Sequence, residues 1–158
     1  MMTMLTTDDT RNGIILRETV AAVQQGRRVL LLTDRTNHIR FLSESLAVRG
    51  ITSVGAYHGE MTLAERETFM VTKYDVCIGI MSMAKEAMDL PWLDTLVVAY
   101  PVKSKYEQAL GRILRTYPNK KTPLVIDIVD TFSFFLGMAR HRASVYRAEG
   151  YSVTTVTE

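Results

Sequence analysis

The sequence predicts an α/β fold, a doubly wound and mostly parallel sheet with helices on both faces. Two patterns carry that expectation. Short, near-continuous apolar runs recur along the chain, as strands buried on both faces require. Between them lie segments whose apolar residues fall three and four apart, the spacing of a helix with one buried side. A third observation, 158 residues with 47% hydrophobic and 23% charged content, fits one core rather than several.

Taken in order, a helix is expected over about 14–25, ending before Gly26. The run RVLLLT at 28–33 is the first strand. Ile39, Leu42 and Leu46 then mark one side of a helix that stops at Gly50, a residue suited to a helix C-terminus. A strand follows at 52–56. Thr62 and Glu65 have the S/T-x-x-E spacing of a capping box and open the next helix. Strands at 76–80, 95–99 and 124–129 repeat the apolar signature, the last reading LVIDIV. Phe135, Met138, Ala139, Arg142, Val145 and Tyr146 share one helical side ahead of Gly150. Weak alternation over 151–156 suggests a terminal edge strand.

Composition narrows the chemistry. Nineteen basic residues face seventeen acidic ones, a net charge of +2, so any basic site must be local rather than global. The single Cys77 rules out an intramolecular disulfide framework and a Cys-rich zinc site. His38, His58 and His141 match no metal-ligand spacing, and no metal site is expected. No apolar run reaches membrane-span length and no signal peptide is evident, so a soluble, intracellular domain without a membrane partner is expected. The chain also lacks a G-x-x-x-x-G-K-[ST] phosphate loop, a G-x-G-x-x-G turn and a G-x-S-x-G elbow.

In open parallel sheets, ligands gather where strands end at their carboxyl termini. Most of the unusual residues fall in or just after those loops. Gln108, Gly111, Arg112 and Arg115 recur at i, i+3, i+4 and i+7, which on a helix makes one side with two guanidiniums, an amide and an open glycine. Arginine suits bidentate contact with phosphate oxygens. Spacing alone leaves an ordinary solvated helix side equally open.

The stretch Y-E-Q-A-L-G-R-I-L-R at 106–115 resembles motif VI of superfamily 2 helicases, whose second RecA-like lobe carries it. Further motifs follow the family order. IMSMAKEAMDLP at 80–91 resembles motif V, with Ala84, Glu86, Asp89 and Pro91 matching. It departs at 80–81, where threonine is usual, and at Ala87, where glycine is common; Ser82 is the nearest hydroxyl to replace the missing one. Tyr57-His58-Gly59-Glu60-Met61 with Arg66 resembles motif IVa, and VLLLTDR at 29–35 resembles motif IV. The resemblance spans about 14–150 and is nearest to restriction-type and repair helicases and their relatives in large DNA viruses.

That resemblance implies a single helicase C-terminal domain over 1–158, with the ATP-binding first lobe absent from the chain. ATP and Mg2+ would be held mainly by that missing lobe. Arg112 and Arg115 would act on its terminal phosphates as arginine fingers, with Gln108 placing them and Asp89, Gly111 and Glu86 at the nucleotide. Thr33, Asp34, Arg35, Gly59, Arg66, Ser82 and Met83 would line a nucleic-acid channel, with DNA favoured over RNA as the partner. Asp34 has a second reading as the cap of the helix beginning near Thr36, Arg66 as one half of an intradomain ion pair, and His58 as a hydrogen-bonded structural residue. The chain alone is expected to be inactive in ATP hydrolysis. A stand-alone nucleic-acid-binding module of the same fold is the alternative, and an unrelated Rossmann-like enzyme the third reading. Lys103, Lys105, Arg112, Arg115, Lys120 and Lys121 form a basic stretch that fits either a phosphate-facing edge or a solvated one. Trp92, Tyr106 and Tyr117 could stack on a base if they shared a surface.

Overall fold

A computed structural model of the chain describes residues 2–80, 90–101 and 106–157, and of residues 2–4, 106, 108, 109 and 112 the backbone alone. Five strands form one sheet: β1 (Val29–Thr33), β2 (Val54–Tyr57), β3 (Val76–Ile80), β4 (Thr95–Val98) and β5 (Leu124–Asp127). Their order is β2-β3-β1-β4-β5, and each neighbouring pair is parallel. The first strand is central because it is apolar throughout. All five of its residues are buried, so it has no side left to offer water.

Alternation along β1 divides the core. Leu30 and Leu32 point to one side, where Phe69 of α4 (Leu63–Val71), Leu110 and Ile113 of α5 (Tyr106–Ile113) and Tyr146 of α6 (Ser133–Ala148) complete the packing. Val29 and Leu31 point to the other, against Ile15, Leu16 and Ala22 of α2 (Asp9–Gln24) and Ile39, Leu42 and Leu46 of α3 (Thr36–Val48). The result is the expected three-layer arrangement. One glycine is required by close approach: a Cβ at Gly55 of edge strand β2 would collide with the Tyr74 ring. Under the final strand, the carboxylate of Asp127 accepts two hydrogen bonds from Arg142 and one from the Tyr146 hydroxyl, at 2.7–2.9 Å. This satisfies an arginine that is otherwise fully out of water.

Two ends of the chain differ from the sequence reading. The first long helix begins at Asp9, capped by the Asp8 carboxylate, not near residue 14. A short α1 (Met2–Thr7) precedes it and buries Leu5, so the packed body extends beyond 14–150. Periodicity missed this because Arg11 and Asn12, polar residues, occupy its buried side. The tail at 151–156 forms no strand. It is held instead by Tyr151 and Val153 packing on the core, with the Tyr151 ring edge-on to Tyr146.

The capping box is formed as predicted: Thr62 accepts from the Glu65 amide at 3.1 Å, and Glu65 accepts from the Thr62 amide at 2.8 Å. Thr62→Ala is expected to destabilise the chain by about 1 kcal/mol in urea unfolding, whereas Thr62→Ser should be close to neutral.

Candidate nucleotide and nucleic-acid site

The carboxyl ends of β1, β4 and β5 are tied together by buried polar groups from α2. Arg11 donates to both carboxylate oxygens of Asp130, at 2.7 and 3.2 Å, and to the Ala99 carbonyl at 2.6 Å. Its neighbour Asn12 donates to the Thr6 carbonyl at 2.9 Å. That orientation leaves the Asn12 Oδ1 to accept from His38 Nε2 at 2.8 Å, and His38 Nδ1 then accepts from the Thr33 hydroxyl at 2.8 Å. A neutral imidazole satisfies both partners at once. Burial first, and the Arg11 charge second, lower the His38 pKa from 6.5 to about 4.

This network corrects one predicted role. Thr33 is completely buried and its hydroxyl is engaged by His38, so its side chain does not line a channel. Asp34 and Arg35 do stand exposed at the exit of β1. Asp34 is not the cap of α3; that position is taken by Arg35, which makes no side-chain capping bond.

At the exit of β2, Gly59 is exposed, with open space where a Cβ would lie. The Arg66 guanidinium reaches back to donate to the Gly59 carbonyl at 3.2 Å and sits 5.8 Å from the centre of the Tyr57 ring. The intradomain ion pair, one of the two readings of Arg66, is not formed among the described residues. Beside it, His58 donates its backbone N–H to the Met61 sulfur at 3.4 Å. Its Nδ1 is out of water with no partner, and so is the Arg66 Nε. His58 is therefore not the satisfied structural histidine that the sequence suggested. Two polar atoms without partners flank an open glycine at a strand exit, where an oxyanion would complete them.

The α5 segment is seated by Leu110 and Ile113, both buried. Gly111 is exposed, with nothing within 4 Å of a Cβ position. The helix ends at Ile113, so Arg115 lies just past it, exposed, and not on a continuous helical stripe with Gln108, Gly111 and Arg112. Its carbonyl accepts from Lys120 Nζ at 2.6 Å. Two residues on, the Tyr117 hydroxyl accepts from Lys73 Nζ at 2.5 Å, and Lys73 stands before β3, at the amino edge of the sheet. Arg115 therefore sits toward the amino edge rather than the carboxyl edge that the other motifs share. Sequence order could not show this, because the direction in which α5 runs back along the sheet sets it. Ser82, Met83, Glu86 and Asp89 lie outside the described residues, as do Lys103 and Lys105; so do the side chains of Gln108 and Arg112. Among the described residues, no three His, Cys, Asp or Glu side chains cluster to hold a metal ion, and no helix is long and apolar enough to cross a membrane.

Fold and motif order together are those of a C-terminal RecA-like lobe of the superfamily 2 helicases. The two curated relatives that the chain matches are viral. It is 30% identical over 163 aligned positions to probable helicase D10 of Escherichia phage T5, covering 97% of this chain and 36% of that protein. A helicase-type protein of Frog virus 3, 055L, is 27% identical over 78% of this chain and 26% of its own length. The chain thus spans about a third or less of the curated relatives it matches. Among solved structures, T4 UvsW superposes with a TM-score of 0.75 at 18% identity, covering 98% of this chain and 36% of that one. The C-terminal domain of the DEAD-box protein Dbp5 gives 0.67 at 15% identity, over 94% of this chain and 83% of that domain. The C-terminal part of the Fun30 ATPase domain gives 0.63 at 13%, over 75% of this chain and 40% of that one. No family model matches the sequence.

Because His38 is held neutral, folding stability should be full above the ordinary pKa of 6.5 and fall as pH drops toward about 4. Unfolded chains take up the proton over that window and folded ones resist it. The loss should be roughly 3 kcal/mol, read by urea unfolding at pH 7 and pH 4. His38→Gln should lose stability at pH 7 and show a flatter dependence; an unchanged slope would place the titration elsewhere.

Proposed function

We propose that the chain is the second motor lobe of an ATP-dependent DNA helicase or translocase, completing in trans an ATPase site whose triphosphate and Mg2+ are held by a first lobe. The observation that carries this reading is the seating of α5. Its apolar side is locked into the core by Leu110 and Ile113, while Gly111 and Arg115 remain exposed. A helix so anchored would fix the backbone that carries Arg112 and, just past its end, Arg115. Arg112 and Arg115 would counter the charge that develops on the transferred phosphoryl group, with Gln108 placing them and Glu86 and Asp89 supporting the nucleotide. Arginine fingers of this kind contribute about 10³–10⁵ in rate. With Arg115 past the end of α5, the triphosphate would be met along the open side of that helix rather than over the carboxyl edge.

The carboxyl edge would then grip the strand. Asp34 and Arg35 after β1, Gly59 and Arg66 after β2, and Ser82 and Met83 after β3 follow three adjacent strands. The partnerless His58 Nδ1 and Arg66 Nε support a phosphate contact at Gly59. Alternating closure of two lobes over ATP, with alternating grips on phosphates, would move the track. DNA is favoured over RNA by the likeness of the 106–112 and 83–91 segments to restriction-type and repair helicases.

The test is DNA-stimulated ATP hydrolysis by the chain combined with a separately made first lobe. The chain alone should show none. Arg115→Ala should lower kcat of the combination by about 10³-fold with little change in unfolding midpoint, and Arg115→Lys should restore little. Full activity of Arg115→Ala would remove the finger assignment.

A further inference from the structure

The amino edge of the sheet carries a feature that the motor reading does not use. Residues that precede β1, β3, β4 and β5 close around a concavity of about 220 Å³. Arg28, Lys73, Lys120 and Lys121 bring four cations to it, and Trp92 and Tyr117 line it with aromatic surface. The sequence left open whether these two rings share a surface. They do: their centres are 6.4 Å apart and edge-on, with Lys73 Nζ 5.6 Å from the Trp92 ring centre and 5.0 Å from that of Tyr117.

The charges do not cancel. Asp94, the acidic residue of the lining, is already committed: its Oδ1 accepts from the Arg28 amide at 3.1 Å and the Thr95 hydroxyl at 2.8 Å, and lies 3.8 Å from Arg27. Arg28 leans on an exposed Asp75 at 3.8 Å and on the Lys73 carbonyl. Lys73, Lys120 and Lys121 have no carboxylate within ion-pair distance among the described residues. Lys120 gives up water to the lining, which lowers its pKa, with Asp94 acting in the opposite direction. The Trp92 Nε1–H is out of water and has no acceptor. Three lysines without counter-charges and one donor without a partner are what an entering oxyanion would complete.

We propose that this amino-edge pocket is a phosphate-binding site, built by Lys73, Lys120 and Lys121 around Trp92 and Tyr117. Its ligand is a phosphate oxyanion beside aromatic surface, supplied either by a nucleic-acid strand or by a free phosphoanion. The lining residues are not those of the finger assignment; Lys120 meets Arg115 at its backbone carbonyl. It accounts for the end of the basic stretch, which here folds into a concavity rather than spreading over a solvated side.

Trp92 is the chain's single tryptophan, so its emission reports on the pocket directly. The experiment titrates the chain with a short oligothymidylate, with inorganic pyrophosphate and with polyglutamate while Trp92 emission is followed. Saturable quenching or shift is expected with the oligonucleotide or with pyrophosphate, and whichever acts at the lower phosphate concentration identifies the source. Lys120→Ala/Lys121→Ala should weaken that binding about tenfold and, for the oligonucleotide, reduce the salt slope by about 1.4. Lys121 is exposed and Lys120 half-buried, and Arg40→Ala on α3 should change nothing. An unchanged emission with both phosphate ligands, a response that survives the double variant, or equal competition by polyglutamate would overturn the proposal.

Discussion

The structure depends on one guanidinium out of water. Arg11 enters from α2, beyond the part of the chain where helical periodicity is visible, and links the carboxylate of Asp130 to the Ala99 carbonyl. A buried arginine is tolerated only when its donors are matched and its charge is paired, and Asp130 does both. The consequence is geometric. The exits of β4 and β5 are held to a helix packed on the other side of β1, and through Asn12 and His38 the exit of β1 joins them. Three strand ends that would otherwise carry independent loops become one supported edge, and it shares the exit of β1 with the strand exits from which the motor reading grips nucleic acid.

That arrangement explains which parts of the fold were legible in the sequence. Strands buried on both sides announce themselves by composition, and all five fall within a residue or two of their expected places. The capping box at Thr62 and the glycines after α2, α3 and α6, whose positive φ values of 78°, 85° and 91° suit a helix end, are local chemistry that needs no partner. The start of α2 was hidden because its buried side is polar, and polarity is what an amphipathic pattern discards. The tail at 151–156 misled in the opposite direction: alternation brought Tyr151 and Val153 to the core, but without a neighbouring strand to pair with.

The site was legible as a set of residue types and less so as a place. Motif order put Asp34, Arg35, Gly59 and Arg66 at adjacent strand exits, where they are found. It misjudged Thr33, whose hydroxyl is satisfied by His38 five positions on, because His38 is itself held in place by Asn12, 26 positions away in the chain. It also set Arg115 on a continuous helix, whereas α5 stops at Ile113 and leaves the arginine at the amino edge beside Lys120. The two edges of the sheet thus divide the charge. The carboxyl edge is organised by paired, buried groups, and the amino edge gathers lysines that lack counter-charges.

The most direct test of this account is a double-mutant cycle between Arg11 and Asp130, read by urea unfolding at neutral pH. Arg11→Met or Asp130→Asn alone should each cost about 3 kcal/mol, since each strands a buried partner. The double variant should then lose little more than either, a coupling of about 2 kcal/mol or more. Losses that simply add, or single substitutions each costing under about 1 kcal/mol, would show that the edge is held by something other than this pair.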